Sequence, residues 1–378
     1  MELSEIRSRI DQVDEQLLDL FLQRMALSEE VAAYKQEHHI PLLNRQRERE
    51  ILADVTAKAG DREREAHHLF STLFELSRAR QAELISAPTA VSTQVRTALE
   101  KSPEVFPQNG LVACQGIEGG NSQAAADHLL PRGNLVFVKT FQAVASAVES
   151  GLCKFGVLPI ENSSNGSVRA VYELLQSHRL SIVRSTRLCI RHELLVLPGV
   201  KQEEITTIYS HEQALGQCSA FLEGLPGLKV VPCANTAVAA KLVAESGDRH
   251  AAAISSHDCT ALYGLECIND AIQDSENNYT RFICVTRDPV IYSGSNRLSL
   301  VIACNNRPGA LHEILAKLSV LGINMTKLES CPVSGRNFEF IFFLELEADL
   351  RSPGVLPMLE ELERSCESFH LLGSYAEV

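Results

Sequence analysis

The chain has no tryptophan and only 6% aromatic residues, too few for the stacking surface that grips single-stranded nucleic acid. It has no CxxC pair and no cysteine before Cys114, and its eleven cysteines are an odd number. That pattern suggests neither a zinc ribbon nor a disulfide framework, and the cysteines read as reduced core thiols. No run approaches the roughly 18 apolar residues of a membrane span, and the first residues are charged and amphipathic where a secretory signal would be apolar. A cytoplasmic location without membrane contact is expected. Basic residues are outnumbered 35 to 48, the net charge is −13, and no basic patch offsets that field, so nucleic acid is not an expected partner. No ligand spacing implies a metal or a cofactor. What remains is a chain of 378 residues, 45% hydrophobic and 22% charged, the balance of a globular protein of two or three domains suited to small-molecule work.

Residues 3–37 contain no Gly or Pro, and apolar residues recur at helical spacing from Ile6 through Ile10, Val13, Leu17 and Leu20 to Val31. The spacing predicts one helix of roughly 33 residues and about 50 Å, capped by Ser4 and stopped by Pro41. Arg45 to Lys58 and Glu63 to Ser86 form a second and third helix, split by Ala59-Gly60-Asp61. Residues 1–87 are thus a small all-α unit. Three helices so unequal cannot cover one another's apolar stripes, and pairing with a second copy is the simplest remedy. Residues 88–109, with Pro88, Pro103 and Pro107, read as a linker with a single helical turn around Val95 to Leu99. Over 110–287 short apolar runs alternate with helical stretches, which predicts an α/β domain, and its size favours two lobes around a cleft. From Arg297 to the C-terminus the order is βαββαβ, a split-βαβ, ferredoxin-like α+β unit over 297–378. Pro308 fits its first helical turn, Gly322 the helix stop, and Val333 to Asn337 a hairpin.

On the long helix Arg24 and Lys35 are eleven residues apart, about three turns, so they share one face some 16.5 Å apart and can converge on one anion. Arg7 lies seventeen residues earlier, about 25 Å away and turned roughly 100°, so it reaches that anion only from a partner chain. Ser77 and Gln81 share a face of the third helix, while Arg47 and Glu48 sit on the second. Any one of these is ordinarily a solvated surface group; the ensemble is informative. With Asn44 it resembles the all-helical chorismate mutase family over residues 1–87. The resemblance implies an intertwined dimer that rearranges chorismate to prephenate. Two arginines would hold the carboxylates, one donated across the dimer, and Lys35 and Gln81 would hydrogen-bond the breaking ether oxygen. Asn44 stands where some members have Asp.

In the central region four polar clusters end or follow the apparent strands. They are residues 116–123 (GIEGGNSQ), residues 161–167 (ENSSNGS), Tyr209 to Gln213 with Gln217, and Thr280-Arg281-Phe282. Strand-end loops opening into helices offer N–H groups and hydroxyls to an anion. The Gly-rich loop lacks the P-loop lysine and does not match GxGxxG, and Ser210-His211 is no nucleophile elbow. In this order the clusters resemble prephenate dehydratase over 110–287. The resemblance implies two lobes of the periplasmic-binding type around prephenate, which loses carbon dioxide and water to give phenylpyruvate. Thr280 would assist departure of the ring hydroxyl, Arg281 would bind or orient a carboxylate, and Asn162, Ser210 and Gln217, with Phe282 of the motif, would line the pocket. Asn121 stands where relatives often carry an aromatic or hydroxyl residue.

Gly309-Ala310-Leu311 after Asn306-Arg307-Pro308, together with Leu328-Glu329-Ser330-Cys331-Pro332, resembles the ACT regulatory module over 297–378. The resemblance implies phenylalanine as effector, held near Gly309, Ala310, Leu311, Glu329 and Ser330 between modules of paired chains and favouring a less active arrangement. Cys331 replaces the family's Arg, which would weaken inhibition or alter its geometry. The three modules together imply a bifunctional chorismate mutase and prephenate dehydratase with a phenylalanine-sensing tail. Two alternatives stay open: one catalytic module silent and serving assembly, or a ligand-binding regulator without turnover.

Overall fold

A computed structural model describes residues 2–38, 40, 44–85, 88–225, 227–304, 308–332 and 340–378. The N-terminal unit comprises α1 (Leu3–Glu37), α2 (Arg45–Ala59) and α3 (Glu63–Ile85), with α1 and α2 both packed on α3. The cap of α1 is Glu2, not Ser4, because Glu5 at the third helical position reaches back to accept from the Glu2 N–H (3.3 Å). The expected stop at Pro41 lies outside the described residues. Asn44 caps α2, accepting from the Arg47 N–H at 3.1 Å. Of α1 only Ser28 and Ala32 are buried.

Residues 88–109 are more than a linker. They form α4 (Ala90–Lys101), three turns rather than one, opened by Thr89 and Ser92 in a reciprocal cap. Val91, Val95 and Ala98 recur at helical spacing and bury in the core of the C-terminal unit, beside Leu298, Met358 and Leu362. That docking supplies the helix with the burial that local composition does not announce.

The first lobe of the central domain is built from β1 (Asn109–Gln115), α5 (Asn121–Leu129), β2 (Arg132–Val138), α6 (Phe141–Glu149), β3 (Phe155–Asn162), β4 (Gly166–Ser167), α7 (Arg169–Ser177) and β5 (Ser181–Cys189). The chain then crosses to a second lobe: β6 (Glu193–Val196), β7 (Thr207–His211), α8 (Glu212–Gln217), α9 (Ser219–Glu223), β8 (Lys229–Cys233), α10 (Thr236–Ser246), β9 (Ala251–Ser255), α11 (Asp258–Tyr263) and β10 (Glu266–Asn269). It returns through β11 (Tyr279–Thr286), which inserts between β5 and β3 of the first lobe. The second-lobe sheet has the order β10-β6-β9-β7-β8. Two chain crossings between two sheets leave a cleft, the architecture the alternating pattern predicts.

The C-terminal unit is β12 (Arg297–Ala303), α12 (Ala310–Val320), β13 (Asn324–Pro332), β14 (Phe340–Glu347), α13 (Val355–Ser365) and β15 (Ser368–Glu377), the expected βαββαβ order. Its Asn306, Arg307 and Val333–Asn337 signals lie outside the described residues. Pro308 sits ahead of the helix rather than in its first turn, because Gly309, at φ +85°, is the cap. β15 pairs in parallel with β5, so the sheets of the two units run on as β13-β14-β12-β15-β5-β11-β3-β1-β2. At this seam a Cβ on Gly373 would collide with the Ile182 carbonyl oxygen, so only glycine permits the approach. One apolar core spans the seam, with Ile160, Ile182 and Ile283 from one side and Val301, Phe343 and Tyr375 from the other.

Candidate active sites

A cavity of about 390 Å³ lies between the two lobes of the central domain. Strand alternation on β11 sends Thr280 and Phe282 into it. The Thr280 hydroxyl accepts from Asn162 Nδ2 (2.9 Å), which leaves its own hydrogen for a group in the cleft. Asn162 is held in turn, its Oδ1 accepting from the Ser164 and Asn165 N–H groups at 3.0 Å each. The same amide nitrogen donates to Asn278 Oδ1 (3.0 Å), Asn278 Nδ2 donates to Gln217 Oε1 (3.0 Å), and His192 Nε2 lies 2.9 Å from that oxygen. A side-chain network thus runs from the first lobe across both crossings into the second. Burial pushes the His192 imidazole below its ordinary value, against the Gln217 hydrogen bond, and keeps it neutral at pH 7. Gly120-Asn121-Ser122 at the start of α5 and Asn235-Thr236 at the start of α10 also line the cavity, so two positive helix ends meet there. The arrangement suits an anionic ligand of small-molecule size.

Two expected cleft residues are elsewhere. Ser210 is fully buried and donates to the Ile254 carbonyl oxygen (2.7 Å); its neighbour His211 lines the cavity instead. Arg281, one residue from Thr280, takes the opposite face of β11 and is buried against Glu345 of the C-terminal unit, with Glu161 at 3.1 Å. Period-two alternation forbids three consecutive strand residues from entering one cleft. Sequence reasoning missed His192, Asn278, His211 and Gln213 as lining or network residues. His192 and Asn278 mark the crossings, which carry no periodic signal, while His211 and Gln213 stood in a cluster already singled out.

In the helical unit Arg24 on α1 donates to Ser77 Oγ and to the Leu73 carbonyl (3.1 Å), and Lys35 Nζ donates to Gln81 Oε1 (3.0 Å). Ser77 and Gln81 are buried, and Glu48 pairs with Arg78 nearby. Burial lowers the Lys35 pKa, offset in part by Glu48 and reinforced by Arg78; burial also lowers that of Arg24. Three of the expected residues stand apart in this chain. Arg47 is 68% exposed and pairs with Glu50, Asn44 serves as the α2 cap, and Arg7 is exposed far along α1.

In the C-terminal unit Ala310 borders a cavity of only about 20 Å³ with Cys304 and Lys317. Glu329 is not beside it. It accepts from Ser167 of β4 and lies 3.5 Å from Lys327, while Ser330 is exposed and Cys331 packs against the core that crosses the seam.

The fold and these two sites define a multidomain small-molecule enzyme, with a helical anion pocket followed by a two-lobed cleft. Residues 6–82 match the family model of chorismate mutase type II and residues 112–290 that of prephenate dehydratase. The chain is 32% identical over 376 residues to the bifunctional chorismate mutase/prephenate dehydratase of Escherichia coli K12, spanning 98% of this chain and 95% of that protein. Among solved structures, a prephenate dehydratase from Arthrobacter aurescens in complex with L-Phe is 27% identical with TM-score 0.65, covering 70% of this chain and 90% of its own. A structure titled as a quorum quenching acylase, GqqA, is 31% identical with TM-score 0.64, covering 71% and 98%. The chain belongs to the bifunctional chorismate mutase/prephenate dehydratase family.

Proposed function

We propose that the chain converts chorismate to prephenate in its helical unit and prephenate to phenylpyruvate in its cleft, with phenylalanine as feedback effector of a C-terminal ACT module. The observation that carries this reading is the Thr280 hydroxyl, oriented by Asn162 inside a cavity flanked by two helix N-termini.

The first reaction is a unimolecular rearrangement, so the protein's task is to hold a compact conformer and stabilise charge growing on the ether oxygen. Lys35 and Gln81 supply that stabilisation and Arg24 binds a carboxylate. Arg7 comes from the partner of a dimer formed along α1. Asn44, Arg47, Glu48 and Ser77 complete the pocket around the paired chains. In the second reaction the ring carboxylate leaves as carbon dioxide, its bonding pair enters the ring, and the ring hydroxyl departs as hydroxide, stabilised by the Thr280 hydrogen. Aromatisation supplies most of the driving force, so a weak donor suffices once water is excluded. Asn162 and Gln217 hold the donor network, and Phe282 walls the cleft. Phenylalanine binds by Gly309, Ala310 and Leu311 at the positive end of α12, with Glu329 and Ser330 of the paired module completing its site.

The test is a time course with chorismate, following prephenate and phenylpyruvate separately with and without phenylalanine, beside Thr280→Val. Both products from the wild type, phenylpyruvate formation reduced by about 10²–10⁴-fold in the variant, and unchanged prephenate formation would bear the reading out. Prephenate alone from the wild type would leave a mutase with a silent second module.

A further inference from the structure

The two strands that carry the cleft's reactive side chains are gripped from behind by the C-terminal unit. On β11, Arg281 sits between Thr280 and Phe282 but points the other way, with both terminal guanidinium nitrogens on the Glu345 carboxylate of β14, one of them at 2.7 Å. On β3, Glu161 precedes Asn162 and bridges Arg281 (3.1 Å) to Lys327 of β13 (3.1 Å). The β3–β4 hairpin, whose turn Asn162 organises, is held by a third contact. Ser167 accepts from Lys327 Nζ (2.6 Å) and donates to Glu329. Glu345 is itself located by the Tyr375 hydroxyl (3.0 Å), which meets Ser299 at 2.8 Å.

Arg281 and Glu345 are 7% and 6% exposed, so this pairing is desolvated. Without Glu345, Arg281 keeps, among the described residues, only Glu161 at 3.1 Å and Glu377 at 3.8 Å, both on the margin of the pair, and β11 would shift toward them. Each pairing stands one residue from a cleft side chain on the same strand: Arg281 from Thr280, and Glu161 from Asn162. A rotation of either strand therefore alters the 2.9 Å Asn162–Thr280 hydrogen bond directly. None of these charged groups lines the cleft, so substrate contacts need not change.

We propose that Glu345, Lys327 and Glu329 of the C-terminal unit are positioning residues for the reaction in the cleft, acting through Arg281, Glu161 and Ser167. This rests on the reading of the cleft as a dehydratase site. It gives the C-terminal unit a direct hold on the chemical step, through residues within or beside the strand segment on which the effector reading places Glu329.

The test compares Glu345→Gln, Glu345→Asp and Lys327→Met in the full chain, with prephenate turnover as readout and chorismate turnover as an internal check that the chain is folded. The expected result is a dehydratase kcat about tenfold lower in Glu345→Gln and several-fold lower in Lys327→Met, KM within twofold of the wild type, and at least half the kcat restored in Glu345→Asp. Mutase turnover stays within twofold throughout. Dehydratase kcat within twofold of the wild type in both Glu345→Gln and Lys327→Met would overturn the proposal. So would a change confined to KM, or a loss shared equally by the mutase reaction. A wild-type chain that forms no phenylpyruvate from prephenate would instead overturn the reading of the cleft itself.

Discussion

At the scale of single residues, the sites depend on which protonation state burial allows. Lys35 is useful to a developing ether oxyanion only while charged, and burial between α1 and α3 pulls its pKa below the ordinary lysine value near 10.4. The sign follows: the ammonium is lost as pH rises through the lowered value. The pH profile of mutase kcat should therefore fall on an alkaline limb placed below the ordinary lysine value. Lys35→Arg, whose guanidinium does not titrate in that range, should remove that limb from whatever activity remains. A limb unchanged in Lys35→Arg would assign it to another group. Spacing along single helices put Arg24 with Lys35 on one face and Ser77 with Gln81 on another, and the structure joins the two faces through Arg24–Ser77 and Lys35–Gln81 hydrogen bonds. Ser210 and Arg281 were not, because each belongs to a motif whose members alternate between two faces of a strand.

At the scale of elements, the decisive features are long-range. The βαββαβ order of the C-terminal unit follows from local patterning, whereas α4 owes its three turns to the C-terminal core. The β15–β5 junction depends on one position. Gly373→Ala would drive a methyl group into the Ile182 backbone, and overpacking of this kind costs about 1–3 kcal/mol or more. The unfolding temperature of the unit should drop accordingly in a calorimetric scan, with dehydratase activity lost before mutase activity on heating. Equal thermal stability of Gly373→Ala and wild type would mean that the seam is not a structural joint.

At the scale of the whole molecule, α1 presents an unsatisfied apolar seam. Ile6, Ile10, Val13, Leu17, Leu20, Leu27, Val31 and Tyr34 follow an alternating three-and-four spacing and are each 41–61% exposed in a single chain. Exposure of this extent along one helix marks a contact surface, and Arg24 lies in the same seam. Val13→Asp should shift a dimer toward monomer in analytical ultracentrifugation and lower mutase turnover by at least tenfold. Prephenate turnover in the intact cleft should change far less. A wild-type chain that sediments as a monomer at micromolar concentration would remove the requirement for Arg7 from a partner.

The sequence by itself determined the order of the modules, the helical anion pocket and the cleft residues Asn162, Gln217, Thr280 and Phe282. The module order and the helical set follow from periodicity and from spacings along single elements, which are local quantities, and the cleft residues from motifs that resemble prephenate dehydratase. Only the tertiary structure decided that Arg281 faces the C-terminal unit rather than substrate, that Glu329 contacts the β3–β4 hairpin, and that α4 belongs to the core of the C-terminal unit. The physical reason is common to all three. A side chain's partner across a sheet or a domain seam is set by strand order and by the face it occupies, and neither is encoded within the few residues of a motif.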